Sequence, residues 1–215
     1  MDEKRVSVAV IKRLPRYYRF LGDLLDNNIN RISSKELSKK MNITASQIRQ
    51  DLNNFGCFGL QGYGYNVPNL YKEIQKILGL EEEHNMILVG VGNIGRALAQ
   101  YKSFEKRGFR FVGVFDKNPD LIGKELGNNK IRDINDLSKF LVDTEVNIAV
   151  IAVPRNSASK IVEILAINGV KGIWNFSNAE LDIPKSMFCE NVYLTDSLMT
   201  LTYRLHEDEI LKKYS

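Results

Sequence analysis

Ten residues constrain the fold of this chain more than any others: the apolar run Met86-Ile87-Leu88-Val89 breaks into Gly90-Val91-Gly92-Asn93-Ile94-Gly95. A buried strand that feeds a glycine-rich turn and then a helix brings backbone N–H groups and a helix N-terminus up against a pyrophosphate. Gly90 permits the tight turn, Gly92 lets the backbone approach the phosphates with no Cβ in the way, and Gly95 lets the following helix, expected over 93–106, pack close to the strand. A second apolar strand, Phe109 to Phe115, ends in Asp116. That acid stands about 20 residues past the last glycine, where a carboxylate can bond both hydroxyls of an adenosine ribose. Strand, turn, helix and acid in this register predict a dinucleotide site rather than a plain βαβ turn.

The residues that follow alternate strand and helix. A loop around Pro119 leads to a helical stretch near 133–142, a buried strand 147–153, a helix 156–168, a strand 172–176 and a short strand near 192–194. This predicts a Rossmann-type, doubly wound parallel sheet. Loops at the carboxyl ends of such strands meet the ligand, so Val153, Pro154, Asn175, Phe176 and Ser177 are expected around the nicotinamide side. Lys117 follows Asp116 on the adenosine side. The carboxylate there disfavours a 2′-phosphate, so NAD(H) is expected over NADP(H). The terminal segment carries Leu198, Leu201 and Leu205 with Tyr203 and Ile210, apolar on more than one side of a helix, and predicts a dimer element.

The front of the chain has a different chemistry. Residues 1–80 hold 13 Lys and Arg against 7 Asp and Glu, whereas the remainder holds 17 against 19. The formal charge of +4 is therefore concentrated in the front, where a polyanion would bind. Helical spacing runs from Ser7 to Asn27, with Pro15 as a point where the helix kinks or restarts. Ser33 with Glu36 forms a capping-box signature for a short helix to about Met41, and Thr44 caps a third helix through Phe55. That third helix carries Ser46, Gln47, Arg49, Gln50 and Asn53 outward, the form of a helix-turn-helix. Gly56, Gly59, Gly62 and Gly64 are interleaved with Phe58, Tyr63 and Tyr65 and predict a β-hairpin wing. Pro68 then opens a helix to about Leu78. The polar stretch 79–85 marks a boundary, giving an all-helical-plus-wing head at 1–80, an α/β body at 81–194 and a terminal helix at 195–215.

Other classes fit less well. There is no run of 18 apolar residues and no charged-then-apolar leader, so no membrane partner is expected and the location is expected to be cytoplasmic. Cys57 and Cys189 have no metal-ligand or redox spacing. A dehydrogenase needs a base facing the nicotinamide, but the two histidines, His84 and His206, fall in the linker and the terminal helix. A CoA-binding domain joined to an interaction module stays open, because Ala152-Val153-Pro154-Arg155 suits that class too.

Several strings resemble the Rex family of redox-sensing transcriptional repressors. In the front half they are residues 13–21 (RLPRYYRFL), 47–52 (QIRQDL), Phe55-Gly56, Phe58-Gly59 and 62–67 (GYGYNV). In the rear half, Gly90 to Gly95, Phe115-Asp116, Ala152-Val153-Pro154, 172–176 (GIWNF) and Asp196 follow in the same order, so the likeness spans nearly the whole chain. The resemblance implies a homodimer that binds a palindromic double-stranded operator through winged helices. It implies NADH and NAD⁺ as cofactors, release from DNA when NADH binds, and exchange of the terminal helices between subunits. It adds Arg13, Arg16, Gln61, Tyr63 and Tyr65 to the expected DNA contacts. It also implies a redox-dependent coupling set of Arg19, Tyr101 and Asp196, with Tyr101 near the reactive end of the cofactor. The family usually carries basic residues where Gln50 and Gln61 stand here, so operator preference is less defined than DNA binding itself.

Overall fold

The computed structural model of the protein describes residues 6–56, 58–60 and 63–213. The expectations for Cys57 and Gln61 lie outside the described residues. The chain divides into two compact units, Met1–Glu82 and Glu83–Ser215.

In the first unit α1 (Val8–Asp26) is followed by β1 (Arg31–Ile32), α2 (Ser34–Met41), α3 (Ala45–Asn53), β2 (Gly59–Leu60), β3 (Gly64–Asn66) and α4 (Val67–Ile77). Local chemistry sets these boundaries. Ser33 and Glu36 cap α2 reciprocally, each accepting the other's backbone N–H, and the Thr44 hydroxyl accepts the Gln47 N–H at 3.1 Å to start α3. Asn42, in the left-handed conformation at φ 52°, makes the turn between α2 and α3. Pro15 neither breaks nor restarts α1. A proline inside a helix costs about 3 kcal/mol. Buried Val10, Leu14, Tyr17, Tyr18, Leu21 and Leu24 offset this, since each apolar side chain removed from water contributes about 2 kcal/mol. The Tyr71 ring of α4 stacks on Tyr18 at 4.4 Å, and its hydroxyl donates to the Tyr18 hydroxyl at 2.8 Å. The wing is a three-stranded sheet in the order β1-β3-β2. Two-residue β1 is too short to leave a period in the sequence, and it exists because Ile32 pairs with Tyr65.

In the second unit the elements are β4 (His84–Val89), α5 (Asn93–Ala99), β5 (Phe109–Asp116), β6 (Glu125–Leu126), β7 (Asn129–Asp133), α6 (Leu137–Asp143), β8 (Ile148–Ile151), α7 (Arg155–Ile167), β9 (Gly172–Asn175), β10 (Phe188–Asn191) and α8 (Leu194–Lys213). The strand order is β10-β9-β8-β4-β5-β7-β6, parallel throughout except for the short β6–β7 hairpin. One face of the sheet packs on α6 and α7 through Ile87, Val89, Phe115, Leu137 and Leu165, and the other meets α5 through Leu88, Val114 and Leu98. Because β4 lies between β5 and β8, the strand order reverses at its carboxyl end, and there a crevice opens.

Three sequence expectations are corrected. Helix α5 stops at Ala99 instead of running to 106, because Phe104 turns inward and sets its ring edge-on against Trp174 at 5.6 Å. The last strand is 188–191 instead of 192–194, in register with β9. The β6–β7 hairpin occupies part of what reads as loop after Pro119.

Candidate functional site

The glycine turn is built by close backbone approaches. Gly90 sits at φ +103°, and its N–H donates to the Phe115 carbonyl at 2.8 Å, tying the turn to β5. A Cβ at Gly90 would come within 2.5 Å of the Ala152 carbonyl oxygen, and one at Gly95 would fall on the Gly90 carbonyl. Those two glycines are demanded by the fold. At Gly92 a Cβ would meet open space, so its absence there serves whatever approaches from outside.

Asp116 ends β5 beside the turn. Its Oδ2 accepts the Val91 N–H at 2.6 Å and its Oδ1 accepts the Asn118 N–H at 2.8 Å. The carboxylate thus orders the turn and keeps lone pairs for a ribose. Val91 orders the turn through this contact: its N–H is held by Asp116 and its side chain is buried, and the residue is among those that line the cavity beside the turn. The first-turn N–H groups of α5, from Asn93 and Ile94, have no intrahelical acceptor and stand at the exposed end. A cavity of about 610 Å³ brings Gly90, Gly92, Asp116, Lys117, Val153 and Pro154 together. Ile134, Asn135, Ser138, Ser157 and Lys160 also line it. Sequence reasoning missed these, because they come from α7, the start of α6 and the 3-10 turn Ile134–Asp136 ahead of it, whose positions depend on the strand order. The open approach at Gly92, the exposed α5 N-terminus and the Asp116 carboxylate fit the pyrophosphate and adenosine ribose of a dinucleotide.

On the β9 side two expected cofactor contacts are corrected. Asn175 is 1% exposed and its amide is fully committed. Its Nδ2 donates to the Ala179 carbonyl at 2.7 Å and to Asn191 Oδ1 at 2.8 Å, while its Oδ1 accepts from the backbone and hydroxyl of Ser177. Ser177 is buried with it. Phe176 remains half-buried in the apolar cluster that holds Val91, Ala152 and Trp174. Tyr101 is not on α5 and does not line the cavity at the turn. It is 58% exposed, packs edge-on against Phe104 at 4.9 Å and borders a separate hollow with Phe109 and Asn128. Asp196 stands exposed in the first turn of α8.

The first unit presents a different surface. Ser46, Arg49, Gln50 and Asn53 line one open, exposed face of α3, and the Arg49 guanidinium donates to the Ser34 hydroxyl at 3.0 Å. Tyr63 is exposed on the wing, with the Arg31 guanidinium 6.0 Å from its ring centre. Arg31 carried no sequence signal, since it reaches the wing only through β1. Arg16 and Arg19 are exposed, and Arg16 also donates to the Met41 carbonyl.

Three expected DNA contacts turn inward instead. Asp51 of α3 is fully buried. Arg13 donates to both of its oxygens, Tyr17 donates to Oδ2 at 2.9 Å and Gln47 donates to Oδ1 at 2.8 Å. Burial pushes the Asp51 carboxyl up, but the donors Arg13, Gln47 and Tyr17 together outweigh it and hold the group below the usual carboxylate range. Arg13 and Gln47, each still partly exposed, therefore spend their polar groups as struts on Asp51. Tyr65 is buried in the wing sheet, and burial pushes its phenol up.

Comparison with known proteins follows the same division. Residues 5–53 match the family described as "Putative DNA-binding protein N-terminus", and residues 81–179 match the CoA binding domain. The redox-sensing transcriptional repressor Rex of Clostridium novyi (strain NT) is 54% identical over 207 residues, covering 96% of this chain and 99% of that protein. The structure of RSP in complex with β-NADH superposes with a TM-score of 0.91 at 47% identity, covering 99% of this chain and 100% of that one. RSP with β-NAD⁺ and operator DNA gives a TM-score of 0.90 at 50% identity, covering 97% of this chain and 96% of that one. These relatives are repressors and not enzymes, which sets aside a dehydrogenase. With that likeness over nearly its whole length, the chain belongs to the Rex family of redox-sensing transcriptional repressors.

Proposed function

We propose that this chain represses transcription as a homodimer, binding a palindromic operator when NADH is scarce and leaving it when NADH binds the body. The observation that carries the reading is the empty approach at Gly92 beside the Asp116 carboxylate, a cradle for NAD(H), in a chain whose head exposes a polar α3 face. The proposed units are the head at 1–80, the NAD(H)-binding body at 81–194 and a swapped dimerisation helix at 195–215. Gly90, Gly92 and the α5 N-terminus at Asn93, Ile94 and Gly95 form the phosphate site. Asp116 binds the adenosine ribose, with Lys117 at its side, and Val153, Pro154 and Phe176 border the nicotinamide. A CoA is disfavoured because its ribose carries a 3′-phosphate, which the Asp116 carboxylate would repel.

On DNA, Ser46, Arg49, Gln50 and Asn53 face the major groove, while Arg16 and Tyr63 stand for backbone and wing contacts. Arg19, Tyr101 and Asp196 form the coupling set. NAD⁺ carries a positive nicotinamide and NADH does not, so a carboxylate at the head of the partner's exchanged helix experiences a different field in each state. No helix among the described residues is long and apolar enough to cross a membrane. The proposed location is the cytoplasm, where the nucleotide pool and the operator are both present.

The test is operator affinity of the purified protein with and without NADH. A coupling of about 1 to 3 kcal/mol weakens operator binding roughly 5- to 150-fold on NADH addition. An affinity that NADH leaves unchanged would overturn the reading.

A further inference from the structure

Helix α8 has almost no hold on its own unit. Its residues from Leu194 to Lys212 are all exposed, so its direction is set at its root, where β10 ends. That root is fastened to a single residue of the neighbouring strand. The Asn175 amide donates to Asn191 Oδ1 at 2.8 Å, and the Asn175 carbonyl accepts the Val192 N–H at 2.8 Å. Leu194 begins α8 two residues later. The other arm of Asn175 holds the turn after β9, through the Ala179 carbonyl and both donors of Ser177, with Asn178 in the left-handed region at φ 57°. One buried amide therefore joins the turn at the carboxyl end of β9 to the foot of the helix.

The position of that turn relative to the nucleotide follows from the strand order. Asp116 ends β5 and the glycine turn ends β4, so a dinucleotide with its adenosine at Asp116 extends its other half over β8 and toward β9. Phe176, next to Asn175, shares an apolar cluster with Val91 of the glycine turn. A shift at the end of β9 has two routes to α8: the loop that leads into β10, and the direct link through Asn175. The direct link is the shorter and the more rigid, because every polar atom of the Asn175 side chain is bonded.

We propose that Asn175 is a positioning residue of the switch, passing nucleotide occupancy at the end of β9 to α8 through Asn191. The proposal rests on the NADH-dependent repression argued above. Asn175 itself is a poor probe, since its loss strands the buried donors of Ser177. Asn191 is exposed, and truncating it takes away one acceptor of the Asn175 amide and the weak acceptor of the Cys189 thiol, while the Ala179 and Ser177 bonds of Asn175 stay in place.

The experiment compares wild type, Asn191→Ala and Asn191→Asp for NADH affinity, for operator affinity alone and for operator affinity with saturating NADH. In Asn191→Ala the first two stay within about twofold, and the NADH-driven loss of operator affinity shrinks about fivefold, the scale of one net hydrogen bond. Asn191→Asp keeps the acceptor for Asn175 and restores the wild-type response. Full NADH-driven release in Asn191→Ala would overturn the proposal, and so would outright loss of NADH or operator binding, which would make the pair an element of the fold. A wild-type protein that ignores NADH would instead refute the repressor reading itself.

Discussion

The Arg13 guanidinium grips the buried carboxylate of Asp51 with two arms, Nε to Oδ2 at 2.6 Å and Nη2 to Oδ1 at 2.7 Å. Arg13 belongs to α1 and Asp51 to α3, so this fork sets how α3 is rolled about its own axis. Ser46, Arg49, Gln50 and Asn53 face outward as a consequence.

Arg13→Ala should damage the head without removing a phosphate contact, because the guanidinium is bonded to Asp51. Removing one partner of a buried ion pair strands the other, at a cost of about 3 kcal/mol. Chemical denaturation reads that loss. Operator affinity should fall while the slope of log affinity against log salt stays at the wild-type value. A slope shallower by about 1 per half-site would put Arg13 on a phosphate.

Asp51 also predicts the response to acid. Its folded-state pKa is lowered, so the stability it contributes is in place above the ordinary aspartate value of about 3.9 and is lost as pH falls through the lower folded value. Thermal unfolding followed by circular dichroism from about pH 6 down to about pH 2 should fall more steeply for wild type than for Asp51→Asn. Parallel curves would contradict the assignment.

Arg49, exposed on α3, is proposed as a phosphate contact. With roughly five phosphates neutralised per dimer, log affinity should fall with log salt at a slope of about −4 to −5. Arg49→Ala should weaken binding and make the slope shallower by about 1 per half-site. An unchanged slope would move the phosphate contact elsewhere.

The glycines separate fold from ligand. Gly92→Ala places its methyl in open space in the free protein, so thermal stability should hold within about 0.5 kcal/mol while NADH and NAD⁺ weaken together. Gly95→Ala collides with the Gly90 carbonyl and should cost stability in addition to nucleotide binding. Calorimetric titration of both variants, set beside their melting temperatures, checks the contrast. Tight NADH binding by Gly92→Ala would mean that the phosphates lie elsewhere.

Helix α8 exposes Leu198, Met199, Leu201, Tyr203, Leu205 and Leu211 together. Such a surface needs a partner, and an operator reader with one helix-turn-helix per chain needs a second copy. Deleting 195–215 should give a monomer or an aggregate by light scattering. A well-behaved dimer after the deletion would contradict the role assigned to the helix.

The residues themselves determined what depends on near neighbours. Caps at Ser33 and Thr44, the glycine turn and the alternation of apolar runs act within a few positions, so the head, the parallel sheet and the nucleotide turn were legible. Only the tertiary structure decided where polar side chains point. Arg13 and Gln47 read as DNA contacts, yet both turn to an aspartate that is 38 residues from Arg13 and sits on the inner side of α3. Asn175 reads as a cofactor contact, yet it bonds Asn191, 16 residues away on the next strand. Helix α5 reads as continuous to 106, yet Phe104 leaves it for Trp174. For Arg13, Asn175 and Phe104 the deciding partner is distant in sequence, and Gln47 joins the first of these because the Asp51 carboxylate four residues on is buried. An unmade hydrogen bond or an unpaired charge inside is costly, so such pairing outweighs local preference.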